Sequence, residues 1–167
     1  MTISQPAHAK YIGQHSSVVT VASGSWGSQP TAMGGNGSTN AYSITWTGSA
    51  NKQYALFSLI NVGTFPLTNG RFTFSTLKTS GSGTGAPNLI FDLCSGVWDA
   101  TTFLCSGAIA TIGASTGGTL VFAQNININA RVDIRITHNR TSSGNYITTI
   151  NAIARRDDVR LGTVFRS

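Results

Sequence analysis

Two cysteines, Cys94 and Cys105, frame the stretch CSGVWDATTFLC and are the residues of this 167-residue chain best spaced for covalent chemistry. Ten residues lie between them, among them Gly96, Trp98 and Asp99. A disulfide spans a loop of that length easily, and constraining the unfolded chain this way contributes ~2–3 kcal/mol. A metal would need more soft ligands than two distant cysteines, and only His8, His15 and His138 stand elsewhere. A redox motif would need Cys-x-x-Cys. The spacing points to a structural disulfide, with two free buried thiols as the alternative.

The remaining candidates for chemistry are weaker. Gly113 to Gly117 reads Gly-x-Ser-x-Gly, but a hydrolase elbow needs a helix behind the serine. Here the strand-like GTLVFAQ follows, so Ser115 reads as a turn serine. GSGTG at 81–85 lacks the third glycine of a dinucleotide fingerprint. The chain has no Glu, so His-Glu-x-x-His cannot occur, and paired carboxylates for glycosidic chemistry would have to come from five Asp. Asp157-Asp158 suits a capped turn better than a Ca²⁺ set. His138 reads as a loop histidine, and Asn139-Arg140-Thr141 fits a glycosylation sequon. No catalytic residue, metal site or cofactor is expected.

Composition bounds the scaffold that would carry such a loop. One domain suits the length. Thr, Val, Ile and aromatic residues favour strands over helices, and charged residues make up only 10%. No run approaches the ~20 apolar residues of a membrane span, so no membrane insertion is expected. The net charge is +6, and seven of the eleven basic residues fall in the last quarter: Arg131, Arg135, Arg140, Arg155, Arg156, Arg160 and Arg166. Asp133, Asp157 and Asp158 interleave with them. A nucleic-acid footprint would want more stacking aromatics than Tyr146 and Phe165. These arginines read as a solvated sheet face or a subunit contact, with a polysaccharide or other polyanion as the possible partner.

Strand-like runs recur at 18–23, 41–47, 53–62, 71–78, 89–94, 108–112, 119–124, 126–137 and 145–155, with 159–165 as a short addition. In NININARVDIRIT, residues Ile126, Ile128, Ala130, Val132, Ile134 and Ile136 share one face, and Asn127, Asn129, Arg131, Asp133 and Arg135 share the other. That alternation predicts one strand with a dry and a wet side. YALFSLINV is apolar on both sides, as in a strand covered on both faces. The glycine-rich run GSQPTAMGGNGSTN reads as loop. The sum predicts an all-β fold, an antiparallel β-sandwich of jelly-roll type, with a closed barrel as the runner-up.

The N-terminal stretch AHAKYIGQHSSVVTVASGSW carries the one family likeness. Ala7-His8-Ala9 has the small-x-small form that signal peptidases cut after. The stretch resembles the mature start of the TasA/camelysin family of exported bacterial biofilm-matrix proteins. Its aromatic residue, polar turn, β-prone run and small-residue turn correspond to Tyr11, Gly13-Gln14, Val18 to Val21 and Ala22-Ser23-Gly24. FSLINVGTFPLTNGRFTFS is similar to the family's strand, turn and strand, with Asn61 and Gly63 closing the first strand and Asn69-Gly70 as a hairpin signal. The chain departs from that family in lacking Glu and in carrying the cysteine loop. The camelysin branch's proteolysis has no metal ligands here to carry it over.

The resemblance implies a jelly-roll sandwich that polymerises by lending a strand to its neighbour. Residues 1–24 are then an export remnant and candidate donor strand ahead of a single domain at 25–167, with Tyr11, Ile12, Val18, Val19 and Val21 as the assembly residues. The expected function is that of a secreted structural subunit of surface or biofilm-matrix fibres. The alternatives are a viral coat or decoration protein and a monomeric carbohydrate-binding module that stacks sugars on Trp26, Trp46 or Trp98.

Overall fold

The computed structural model describes residues 24–36, 41–48, 52–81, 87–139 and 144–159. Tyr11, Ile12, Val18, Val19 and Val21, the expected strand at 18–23 and most of 159–165 lie outside the described residues.

Among the described residues nine strands follow in order: β1 (Ser28–Ala32), β2 (Tyr42–Trp46), β3 (Gln53–Asn61), β4 (Leu67–Ser80), β5 (Asn88–Cys94), β6 (Ile109–Ser115), β7 (Gly117–Ile126), β8 (Arg131–Asn139) and β9 (Asn145–Ala152). A 3-10 turn, Arg156–Asp158, closes the described chain. The strands form two sheets, ordered β1-β3-β8-β5-β6 and β2-β9-β4-β7, and every pairing is antiparallel. All connections except β5–β6 cross from one sheet to the other. This is an all-β sandwich.

Its core is what strand alternation should bury. Phe57 and Leu59 of β3, Phe91 of β5 and Ile134 and Ile136 of β8 face Phe72 and Phe74 of β4 and Ile150 of β9. Phe72 lies at the centre, with ring centroids 5.3 Å from both Phe57 and Phe91. Each such side chain contributes ~1.5–3 kcal/mol on burial. A smaller cluster of Leu67, Ile126 and Val159 closes one end, where Val159 bridges Leu67. As expected, β3 is an inner strand buried on both faces from Leu56 to Asn61.

Four local expectations are corrected. β1 lies inside the run read as loop. Its Pro30 marks a break by local rules but is tolerated on an edge strand, where the lost N–H faces away from the ladder. The alternating run 126–137 is two strands. The chain turns over Asn127–Ala130, with Asn129 at φ 60° and the Ala130 N–H donating to the Asn127 carbonyl at 2.9 Å; Ile128 is consequently exposed. Asn69-Gly70 is not a turn but sits within β4, where a Cβ on Gly70 would lie 2.1 Å from the Phe122 ring. The chain reverses earlier, after Asn61. That buried side chain donates to the Phe65 and Ile126 carbonyls at 2.8 and 2.9 Å and accepts from the Gly63 N–H at 2.9 Å. His138, finally, is a fully buried β8 residue packed between the Trp46 and Tyr146 rings, not a loop histidine.

Candidate functional site

Beyond their ends, β5 and β6 continue as a ribbon. The main-chain N–H groups of Ser95, Ser106 and Asp99 donate to the carbonyls of Ala108, Val97 and Leu104, at 2.9–3.0 Å. Trp98 and Cys105 are bridge partners in this ribbon, yet Cys105 is bonded to Cys94 with the Cα atoms 5.6 Å apart. In a straight strand Cys94 and Trp98 would be ~13 Å apart. The ribbon therefore folds back on itself. Gly96 and Gly107 face each other at the fold, where a Cβ on Gly107 would lie 2.9 Å from the Gly96 nitrogen. Only glycines allow so close an approach.

Folding back sets the ribbon on the outer face of the five-stranded sheet. Trp98, 2% exposed, donates its indole N–H to the Asp133 carbonyl at 3.2 Å. The Asp133 carboxylate accepts from the Ser58 hydroxyl. The Arg135 guanidinium carbon lies 4.7 Å from the Trp98 ring centroid and 5.4 Å from that of Tyr54. Arg135 also pairs with Asp92 at 2.9 Å and donates to the Phe103 carbonyl at 3.0 Å. Asp92 accepts in addition from the Thr111 hydroxyl at 2.7 Å.

The tip of the ribbon is shaped for this contact. Asp99 accepts from the Thr101 and Thr102 amides at 2.8 and 2.7 Å. Those bonds, Thr102 first, hold its carboxyl below the usual carboxylate range. Phe103 takes a left-handed φ of 57°, uncommon for a residue with a Cβ. Its carbonyl reaches Arg135 and its ring stacks on Tyr54 at 5.9 Å.

The expected disulfide is thus present, and Ser115 is a turn serine: its hydroxyl donates to the Gly117 carbonyl at 2.8 Å, and β7 follows. The described arginines of this group do not form one solvated face. Arg135 is 15% exposed and paired, which corrects its reading as solvated. It was the strand's wet side that the ribbon covered. Arg131, Arg155 and Arg156 are exposed, while Arg140, Arg160 and Arg166 lie outside the described residues. Asp158 does cap a turn, accepting from the Arg155 amide at 3.1 Å, and it binds Arg71 through two contacts of 2.9 Å. Of the three tryptophans, Trp46 and Trp98 are buried and Trp26 is 48% exposed.

Asp92 and Tyr54 were not singled out in the sequence, and Arg135 was read as one of the C-terminal arginines; it lies 43 residues from Asp92. No local pattern links them. Arg135 donates to Asp92 and to the ribbon's Phe103 carbonyl and lies against the Trp98 and Tyr54 rings, so the cluster works as a clamp that fastens the ribbon to the sheet. Among the described residues, no group of three or more His, Cys, Asp or Glu is placed to hold a metal ion, and no helix is long and apolar enough to cross a membrane. Compared with family models, curated proteins and solved structures, the chain matches none of them.

Proposed function

We propose that the chain is a secreted structural subunit that assembles into surface or biofilm-matrix fibres, each copy lending its N-terminal strand to the sandwich of the next. The jelly-roll path and the TasA-like kinship belong to the same reading. The observation that carries it is the side of the sandwich formed by β6 and β7. These edge strands, IATIGAS and GGTLVFAQNI, contain no charged residue and no proline, and most of their residues are exposed. Monomeric sheet proteins blunt such edges with charge, proline or a covering segment; on the opposite side β1 carries Pro30. An unblunted edge offers main-chain donors and acceptors to an added strand, and a head-to-tail addition propagates because it need not close. The disulfide is compatible with an oxidising compartment.

Deleting residues 1–23 leaves Gly24 in place against Phe65 and removes the proposed donor. The truncated protein is expected to stay folded and monomeric where the full chain forms filaments, as read by electron microscopy and analytical ultracentrifugation. Filaments that persist after the deletion would sink the mechanism.

A further inference from the structure

Beside the ribbon, the same outer face opens into a cleft of about 240 Å³ lined by Gly35, Asn36, Ile60, Val62, Asn129 and Arg131. Ile60 and Arg131 are register partners across β3 and β8, so the guanidinium rises beside an aliphatic floor. Two turns form the walls. On one side Gly34 adopts φ 78° and the Gly35 N–H donates to Ala32 at 2.9 Å, which places Asn36. On the other, Asn129 is held by the turn it belongs to and by its own N–H, which donates to Asn61 at 2.9 Å. Main-chain hydrogen bonds therefore set the walls before any ligand arrives, which lowers the ordering cost of binding.

Among the described residues the side chains of Asn36, Asn129 and Arg131 make no hydrogen bond or ion pair, whereas Asp133, two residues from Arg131 along the strand, is already engaged by Ser58. The cleft is smaller than the ~300–1,000 Å³ of pockets that hold drug-sized ligands, and Val62 at its rim is 43% exposed. It suits one ring of a longer chain that runs out across the open mouth. Among the described residues no aromatic side chain lines it, so they offer no stacking surface for a nucleic-acid base.

We propose that this cleft binds a uronate unit of an acidic polysaccharide. The carboxylate pairs with Arg131, whose planar fork matches two oxygens at once. The Asn36 and Asn129 carboxamides take ring hydroxyls as donors and acceptors, and the ring's C–H face rests on Ile60 and Val62. The chain's positive charge draws a polyanion to it. This site stands apart from strand exchange, and binding can be read whether or not the protein polymerises.

The test is calorimetric titration of the full chain with oligogalacturonate, with a neutral oligoglucoside of equal length and inorganic phosphate as comparison probes. Hydrogen exchange on peptides covering 29–36 and 127–133 locates the contact. Oligogalacturonate is expected to bind and to protect both peptides. Arg131→Gln should weaken it about tenfold or more, and Asn129→Gly, which keeps the left-handed backbone, by a few-fold. Arg156→Gln, another exposed arginine elsewhere, should change it less than about twofold. The proposal is overturned by absent binding, by equal binding of the neutral oligomer or of phosphate, by protection elsewhere, or by an Arg156→Gln loss that equals that of Arg131→Gln.

Discussion

The two outer faces of the sandwich are made by the same rule and end differently. On the four-stranded sheet the outward positions run Ser43, Thr149 and Ser75 across β2, β9 and β4, with Asn151, Thr73 and Thr119 in the next row. They remain half or fully exposed. Among the described residues one end of that face is covered, where the 3-10 turn brings Asp158 onto Arg71. On the five-stranded sheet the outward positions include Ser58, Asp133, Arg135 and Asp92, and the folded-back ribbon buries them. Uncharged hydroxyls need no cover because water satisfies them. A charge that a lid takes out of water needs a partner, since an unpaired one costs several kcal/mol. The faces differ in sequence by those charges, and the covering segment is what takes them out of water.

That comparison can be broken most directly at the indole. Trp98→Ala removes the side chain on which Arg135 rests and opens the lid, and should cost about 3–5 kcal/mol in denaturant unfolding. A cost near zero would mean that the ribbon rides on the sheet without fastening to it. Next in size is the tether. Replacing Cys94 and Cys105 by Ser together should cost ~2–3 kcal/mol, with Trp98 fluorescence in the folded state unchanged. A native-state red shift would show that the disulfide, rather than the Trp98–Arg135 contact, holds the lid down.

The smallest effect belongs to the sparsely covered face. The hydrogen bond from Arg71, and then the Arg155 N–H, hold the Asp158 carboxyl below its ordinary value against the opposing pull of burial. A lowered folded-state pKa contributes stability that is present above the unfolded value of ~4 and lost as pH falls through the folded one. Arg71→Met with Asp158→Leu removes both charges at once. Stability at pH 7 should then change by only about 1 kcal/mol, while the loss of stability between pH 4 and lower values becomes shallower. An unchanged acid limb would show that Asp158 is not what titrates there.

Much of the sandwich was legible because its signals are local. β-prone composition, the alternation in β8 and the two-sided apolar run of β3 each concern neighbours in sequence, and they located the inner strands. The spacing of Cys94 and Cys105 likewise favoured their pairing over two free thiols, and the structure joins them. What failed locally failed for stated reasons. Pro30 looks like a break until β1 is known to be an edge, and 126–137 looks like one strand because the turn residues Asn127 and Asn129 happen to keep its period. The candidate cluster was not legible at all: Trp98 meets Asp133 from 35 residues away, and Arg135 meets Asp92 from 43. Residue type and period determine which side chains leave a strand on its polar side. Whether those side chains then meet water or a lid is decided by where a distant ribbon folds back, and only the tertiary structure brings the two together.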